Sequence, residues 1–129
     1  MSKILVVEDD PSLRNMLRLV FEMAGYEVAE AAHGQAALEL LHGPELPDIV
    51  TTDLMMPVMD GQEFIERLRS EPRTASIPIV VVSAAIDAAT VFQGLERADA
   101  MMGKPFVPAK LVRLVKSLDV RAPRRASRR

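Results

Sequence analysis

The stretch Thr51-Thr52-Asp53-Leu54-Met55-Met56-Pro57-Val58-Met59-Asp60-Gly61 decides the fold predicted for this chain. It follows a short apolar run and places a single carboxylate, Asp53, where a strand should end. Pro57 then predicts a turn, and Asp60 with Glu63 has the form of a capping box that begins a helix. Open α/β sheets present their reactive groups at the carboxyl ends of the strands. Asp53 is therefore a candidate functional residue, although an isolated Asp at a strand end is more often only a solvated side chain.

Strands and helices are predicted to alternate along the whole chain. Apolar runs predict strands at 3–7, 26–31, 48–53, 77–82 and 99–103. Apolar residues at helical spacing follow each strand, at 13–24, 34–41, 61–70, 88–96 and 111–118. Polar groups stand at four strand ends: Glu8-Asp9-Asp10, Asp53, Ser83 and Lys104-Pro105. Acids, a hydroxyl and a lysine at four equivalent positions are hard to assign to chance.

Together these residues carry a family resemblance. The strand, Asp53, Met56-Pro57 and Asp60-Gly61 pattern resembles the phosphoacceptor segment of bacterial response-regulator receiver domains. The acids at the first strand end, Ser83 and Lys104-Pro105 match the same family, and the likeness covers roughly residues 2–119. The function that the resemblance implies is a two-component switch, which accepts a phosphoryl group on Asp53.

Five β/α repeats with right-handed crossovers predict a doubly wound three-layer sandwich. The resemblance implies the flavodoxin-like (βα)5 form of this α/β class, with a five-stranded parallel sheet of order 2-1-3-4-5. Strands 1 and 3 then lie side by side at the topological switch point. Asp9 and Asp53 are therefore expected to meet at one end of the sheet, although they lie far apart in sequence.

The acids at this sheet end are expected to bind Mg²⁺. Asp10 precedes Pro11, which suits the first helical position, so Asp10 is expected to be an N-cap. That leaves Glu8 and Asp9 at the strand tip. Crowded carboxylates repel one another, and Mg²⁺ accepts a few carboxylates together with water and phosphate oxygens. Asp9 and Asp53 are the expected ligands with Glu8 supporting them, and the resemblance adds the main-chain carbonyl of Met55.

The resemblance also assigns roles around the expected phosphoryl group. Lys104 matches the family's lysine that pairs with the phosphoryl oxygens, and Ser83 matches the hydroxyl that donates to them. Ala84 belongs to the same phosphate-binding and switch segment. The peptide bond between Lys104 and Pro105 is expected to be cis. Met101 stands at the family's switch position, where an aromatic residue is usual.

Three departures from the family pattern concern the region between the fourth and fifth strands. Met101 replaces the usual Tyr or Phe, and Arg97 stands where a Gly is common. The step from Ser83 to Met101 is one residue shorter than in the chemotaxis-type receiver. The family uses this region for output, so these departures concern how the switch is read more than phosphorylation itself.

The sequence pattern predicts which residues of the helix at 34–41 are buried and how the histidines beside it are placed. Ala37, Leu40 and Leu41 are expected to face the core. His33 and His42 are the only histidines, and they flank this helix far in sequence from the acidic residues. They are interpreted as solvated residues rather than as metal ligands.

Length and composition predict one domain at 1–119, which the resemblance identifies as a receiver, and a basic tail or linker start at 120–129. The chain has 129 residues, of which 49% are hydrophobic, and no cysteine for a disulfide or thiolate metal site. Residues 121–129 hold five of the 16 basic residues and no acid, so the preceding part carries a formal net charge of −7. This acidic body argues against DNA binding by the receiver itself. The tail is expected to be flexible.

Three other functions remain open for this pattern. An aspartyl-phosphate hydrolase of the haloacid-dehalogenase type would need a general acid two residues after Asp53, where Met55 stands. A degenerate receiver could act only as a docking module, and Met101 is the residue that favours it. Flavin binding is weakly supported, because no Gly-rich phosphate loop follows the first strand.

The expected partners are a sensor histidine kinase or a histidine phosphotransfer protein. The downstream effector is unknown, and the chain is expected to be a monomer or a phosphorylation-dependent dimer. It is interpreted as a phosphoacceptor switch and not as an enzyme. No apolar run is long enough to span a membrane, and the first residues enter a predicted strand instead of a signal peptide, so a cytoplasmic location is expected.

Overall fold

The computed structural model describes residues 2–54, 56, 58–84 and 97–119. Its strands are β1 (Lys3–Val7), β2 (Glu27–Ala31), β3 (Ile49–Thr52), β4 (Ile79–Ser83) and β5 (Ala100–Gly103). Its helices are α1 (Pro11–Met23), α2 (Gly34–Leu41), α3 (Gly61–Ser70) and, last in these ranges, α4 (Pro108–Leu118). The helix predicted at 88–96, the tail 120–129 and Met55 lie outside the described residues. No helix in the described ranges is both long and apolar enough to cross a membrane.

The five strands form one parallel sheet of order β2-β1-β3-β4-β5, which confirms the predicted fold class and strand order. β1 lies between β2 and β3, because Val7 pairs with Ala31 of β2 on one side and with Thr52 of β3 on the other. β1, β3 and β4 are nearly continuous apolar or β-branched runs, as strands covered on both faces require. β2 is the edge strand that its weaker pattern predicted.

Alternate residues of the strands point into two separate hydrophobic layers. On one face, Leu5, Val50 and Val81 pack with Phe64 and other buried residues of α2 and α3. The opposite face packs against α1 and α4, through residues that are all buried: Ile4, Val6, Ile49, Val80, Val82, Leu17, Phe21, Leu111 and Val115. Helices therefore cover both faces of the sheet. The carboxyl ends of its strands lie at one uncovered end of the sheet, and this end carries the polar residues.

Side chains cap three of the helices at their first turns. Asp10 accepts a hydrogen bond from the Ser12 amide at 3.0 Å, as predicted for the N-cap of α1. Asp60 accepts from the Glu63 amide at 2.9 Å and fixes the start of α3. His33 accepts through Nδ1 from an amide of α2 at 3.2 Å, so its interpretation as a merely solvated residue was wrong. An imidazole nitrogen serves here as the acceptor that Ser or Asp usually supplies.

Two smaller expectations were also wrong. Leu40 is 48% exposed, because α2 buries Ala37, Leu41 and one side of Leu38, and Leu40 falls outside this stripe. β2 begins at Glu27, because the Tyr26 amide donates to the Phe21 carbonyl at 3.0 Å and so completes the end of α1. The buried Tyr26 ring packs edge-on against Phe21.

Arg69 of α3 connects this helix to the residues that precede β4 and β5. Arg69 donates to the carbonyls of Ala75 and Ile77 at 2.9 and 2.7 Å and pairs with Asp99 at 2.8 Å. The same Asp99 oxygen accepts from the Ile79 amide at 2.7 Å. These contacts hold the first residues of β4 and β5 in register, and β5 leads directly to Lys104 at the opposite edge of the sheet.

Replacement of Thr51 by Val is expected to stabilise the protein by about 1 kcal/mol, because the Thr51 hydroxyl is buried without a hydrogen-bond partner in the described part of the chain. Valine has nearly the same shape and no polar atom to bury. Urea denaturation of the two proteins measures the difference. Thr52→Val is the matched control, since the Thr52 hydroxyl donates to the Asp53 carbonyl at 2.9 Å, and it should be neutral or destabilising. A lower free energy of unfolding for Thr51→Val would contradict this prediction.

Candidate functional site

The ends of two neighbouring strands form one acidic cluster. Glu8 and Asp9 follow β1, and Asp53 follows β3, which is the neighbour of β1 in the sheet. One carboxylate oxygen from each of these three residues lies within 4.8 Å of the other two. Glu8 and Asp53 are almost fully buried, whereas Asp9 is exposed. The predicted order of the sheet therefore does bring the first and third strand ends together.

Lys104 completes the cluster from the end of β5. Its Nζ donates to Asp53 Oδ2 at 2.7 Å and to Glu8 Oε1 at 3.0 Å. The Lys104–Pro105 peptide bond is cis, which is the isomer that the resemblance implied. Residues 8, 53 and 104 are thus joined by two ion pairs within a cluster that holds three carboxylates and one ammonium group.

Main-chain hydrogen bonds fix the two buried carboxylates. The Leu54 amide donates to Asp53 Oδ1 at 2.6 Å, and the Asp53 amide donates to the Val7 carbonyl at 3.2 Å. The Asp10 amide donates to Glu8 Oε2 at 3.1 Å. Each carboxylate therefore meets the Lys104 ammonium through one oxygen and a backbone amide through the other.

The charges of the cluster perturb one another. Burial raises the pKa of the Glu8 carboxyl above its ordinary value, and this effect exceeds the opposing effects of the hydrogen bonds from Lys104 and the Asp10 amide. Burial alone would lower the pKa of Lys104, but its hydrogen bonds to Asp53 and Glu8 outweigh burial and raise that pKa. Lys104 is thus firmly protonated, and negative charge at Glu8 is costly unless a cation lies close to it.

Ser83 ends β4 beside Lys104. It is fully buried and pairs in register with Gly103, and its carbonyl accepts from the Lys104 amide at 3.1 Å. Ala84 follows as an exposed residue. Met101 pairs with Val81 and lies partly buried against the layer formed with α2 and α3. The structure therefore places Ser83 next to the cluster and Met101 two residues further back along β5.

Sequence reasoning overlooked the structural role of Gly61. Its amide donates to the Leu54 carbonyl at 2.9 Å, so α3 begins against the backbone that follows Asp53. A Cβ atom at this position would lie 2.7 Å from Leu54 Cα and closer still to the Asp53 carbonyl oxygen. The only sequence signal was the Asp-Gly pair itself, which does not say that two backbone segments touch there.

The donor set fits a hard divalent cation. Carboxylate oxygens in a small cluster suit Mg²⁺ or Ca²⁺, and neither thiolate nor imidazole contributes to the acidic group found in the described residues. The exposed Asp9 leaves the cluster open on one side.

The family model for the response regulator receiver domain matches residues 4–116 of the chain. This chain belongs to the response regulator receiver domain family. The match covers the five strands except for Lys3, the first residue of β1, and it includes the cluster of Glu8, Asp9, Asp53 and Lys104. The receiver therefore takes part in phosphorylation-based two-component signalling, as the resemblance implied.

The curated relatives of this receiver are regulators about twice its length. The DNA-binding response regulator MtrA of Mycolicibacterium smegmatis is 41% identical over 117 residues, which are 89% of this chain and 49% of MtrA. The chain spans about half the length of the curated relatives it matches.

Two solved structures show the same fold. The chemotaxis protein CheY4 of Vibrio cholerae is similar with a TM-score of 0.85 and 31% identity, covering 92% of this chain and 98% of CheY4. The response regulator TrrA of Thermotoga maritima, solved in complex with Mg(2+)-BeF, gives a TM-score of 0.81 and 29% identity, covering 92% and 99% of the two chains. The receiver fold of this chain is therefore shared across its length.

Proposed function

We propose that this receiver accepts a phosphoryl group on Asp53 from a phosphohistidine donor in a Mg²⁺-dependent reaction. The observation that carries the proposal is the contact of Asp53 with Lys104 at 2.7 Å inside a cluster of three carboxylates. A nucleophilic oxygen, an acidic cation site and a positive charge beside the nucleophile are the parts that phosphoryl transfer needs, since catalysis rests on positioning and charge neutralisation.

Asp9 and Asp53 would hold the cation, with Glu8 supporting them. The main-chain carbonyl of Met55 is proposed as a further ligand from the family pattern, although Met55 lies outside the described residues. A bound Mg²⁺ relieves the repulsion among the carboxylates and neutralises charge on phosphoryl oxygens. The fit is supported by the oxygen-only donor set and by the TrrA relative, whose structure was solved with Mg²⁺ and a beryllofluoride group.

The chain's own groups supply the transfer itself. An Asp53 carboxylate oxygen forms a bond to phosphorus while the bond from phosphorus to the donor breaks, and the bonding electron pair leaves with the donor. The Lys104 ammonium, already 2.7 Å from Asp53, is placed to pair with a phosphoryl oxygen. The Ser83 hydroxyl at the end of β4 is proposed to donate to another oxygen, with Ala84 in the same switch segment.

The proposed partners follow from this chemistry. A sensor histidine kinase or a histidine phosphotransfer protein supplies the phosphoryl group in the cytoplasm, and the effector that reads the switch is unknown. The receiver, residues 1–119, acts as a phosphoacceptor and not as an enzyme with a separate substrate. DNA binding belongs to relatives such as MtrA as whole proteins, of which this chain corresponds to about half. Residues 120–129 are proposed to be a flexible tail or linker.

Incubation with a small acyl-phosphate donor tests the proposal. The intact protein should gain one phosphoryl mass when Mg²⁺ is present and none when a chelator replaces it. Hydroxylamine should remove the added mass, because it cleaves acyl phosphates and leaves phosphoserine intact. A protein that gains no mass under any of these conditions would contradict the proposal and support the alternative, a degenerate receiver that acts as a docking module.

A further inference from the structure

Arg14 reaches from the first turns of α1 to the main chain of the acidic cluster. Its Nη1 donates to the Glu8 carbonyl oxygen at 2.8 Å. Its Nε lies 3.6 Å from Glu30 Oε1 on the neighbouring strand β2. The side chain is three-quarters buried, with 23% of its surface exposed. One guanidinium therefore joins α1 to both β1 and β2 at the edge that carries the site.

The contacted carbonyl belongs to the peptide that joins Glu8 to Asp9. This peptide sets the direction of both carboxylates, because each side chain branches from one of its two ends. The Glu8 amide is held independently, since it donates to the Ala31 carbonyl at 3.0 Å and continues the pairing of β1 with β2. β1 ends at Val7, and after the Glu8 amide the hydrogen bond from Arg14 to the Glu8 carbonyl is the next fixed point of the main chain.

Glu30 holds the guanidinium in place. Its second oxygen, Oε2, lies 3.3 Å from Arg18 Nε, so Glu30 is shared by two arginines one helical turn apart. Arg18 has further contacts with Asn15 and Glu22 on its own helix, but no hydrogen bond links it to Glu8 or Asp9 among those found in the described residues. Arg14 and Arg18 thus both pair with Glu30. Of these two arginines, Arg14 is the one that bonds to the main chain of Glu8.

We infer that Arg14 is a positioning residue that fixes the Glu8–Asp9 peptide and thereby raises the affinity of the acidic cluster for a divalent cation. The inference rests on the proposed function, because it takes Glu8, Asp9 and Asp53 as the cation site. A guanidinium suits the task, since one N–H bonds the Glu8 carbonyl while the charge of the same rigid, planar group pairs with the Glu30 carboxylate. Groups that orient metal ligands commonly change metal affinity by 10- to 100-fold when they are lost.

The test is a Mg²⁺ titration of the full chain by isothermal calorimetry, in wild type and in Arg14→Gln, Arg14→Lys and Arg18→Gln. Arg14→Gln should weaken Mg²⁺ binding about tenfold. Arg14→Lys keeps the charge and one donor and should restore part of the loss. Arg18→Gln is the matched control, because it removes the same charge from the same helix and leaves the contact with Glu8 intact, and its affinity should equal that of wild type.

Thermal unfolding in chelator separates positioning from general stability. If Arg14→Gln melts like Arg18→Gln without Mg²⁺ and yet binds Mg²⁺ more weakly, the positioning role is supported. Equal weakening in the Arg14→Gln and Arg18→Gln variants would overturn it, since long-range charge would then explain the effect. Wild-type affinity in Arg14→Gln would overturn it as well. A wild type that binds no Mg²⁺ would instead contradict the proposed function, which distinguishes the two failures.

Discussion

Asp53→Asn is expected to abolish phosphorylation by an acyl-phosphate donor while the fold remains intact. The amide has nearly the same shape as the carboxylate, but its oxygen is a poor nucleophile and carries no charge. Of the two contacts that the Asp53 carboxylate makes with Leu54 and Lys104, the hydrogen bond from the Leu54 amide can persist in the mutant. The ion pair with Lys104 is lost, so a modest change in stability is compatible with the prediction. Intact mass after incubation with donor and Mg²⁺ measures the result.

Asp10→Asn is the matched control for this mutation. Asp10 lies beside the cluster and loses the same charge, but it caps α1, a position where Asn is as good as Asp. The control should gain one phosphoryl mass at close to the wild-type rate. Mg²⁺ should also raise the melting temperature of the control more than that of Asp53→Asn, because only the latter loses a proposed ligand. Phosphorylation of Asp53→Asn at the wild-type rate would refute the site assignment.

Gly61→Ala is expected to lower the free energy of unfolding by about 3 kcal/mol, near the upper end of the usual cost of overpacking. The added methyl group would meet the backbone of Asp53 and Leu54, with Leu54 Cα at 2.7 Å, and a backbone cannot rotate away as a flexible side chain can. Relief requires that α3 move away from the end of β3. The hydrogen bond from the Gly61 amide to the Leu54 carbonyl should weaken with it. Urea denaturation measures the loss.

The same substitution should also slow phosphorylation by about tenfold or more, because the displaced backbone is that of the proposed nucleophile. Gly103→Ala is the control near the site. Among the described residues, the nearest atom to a Cβ there is the Ser83 carbonyl oxygen at 4.0 Å, which is an ordinary contact. That variant should keep the wild-type stability and rate. If Gly61→Ala unfolds at the same urea concentration as Gly103→Ala, the close approach of the two backbones is not the reason for glycine at position 61.

The sequence by itself determined the layered fold and most of its helices. Apolar runs placed the strands within one or two residues of their observed bounds, because strands buried on both faces consist mainly of apolar and β-branched residues. Asp10 and Asp60 were predictable as N-caps, since capping depends on local geometry that a few neighbouring residues define. The family resemblance added the strand order, and with it the meeting of Glu8, Asp9 and Asp53 at one edge.

Tertiary structure alone decided what each of these groups touches. Lys104 bridges Glu8 and Asp53, and Arg14 pairs with Glu30, because strands and helices distant in sequence converge at that end of the sheet. Gly61 is required by a backbone that passes within contact distance, which no local pattern records. Leu40 points outward because the neighbours of a helix, and not its composition, fix which side faces the core. Residue types and spacing predict local geometry, whereas contacts between distant segments depend on how the whole chain packs.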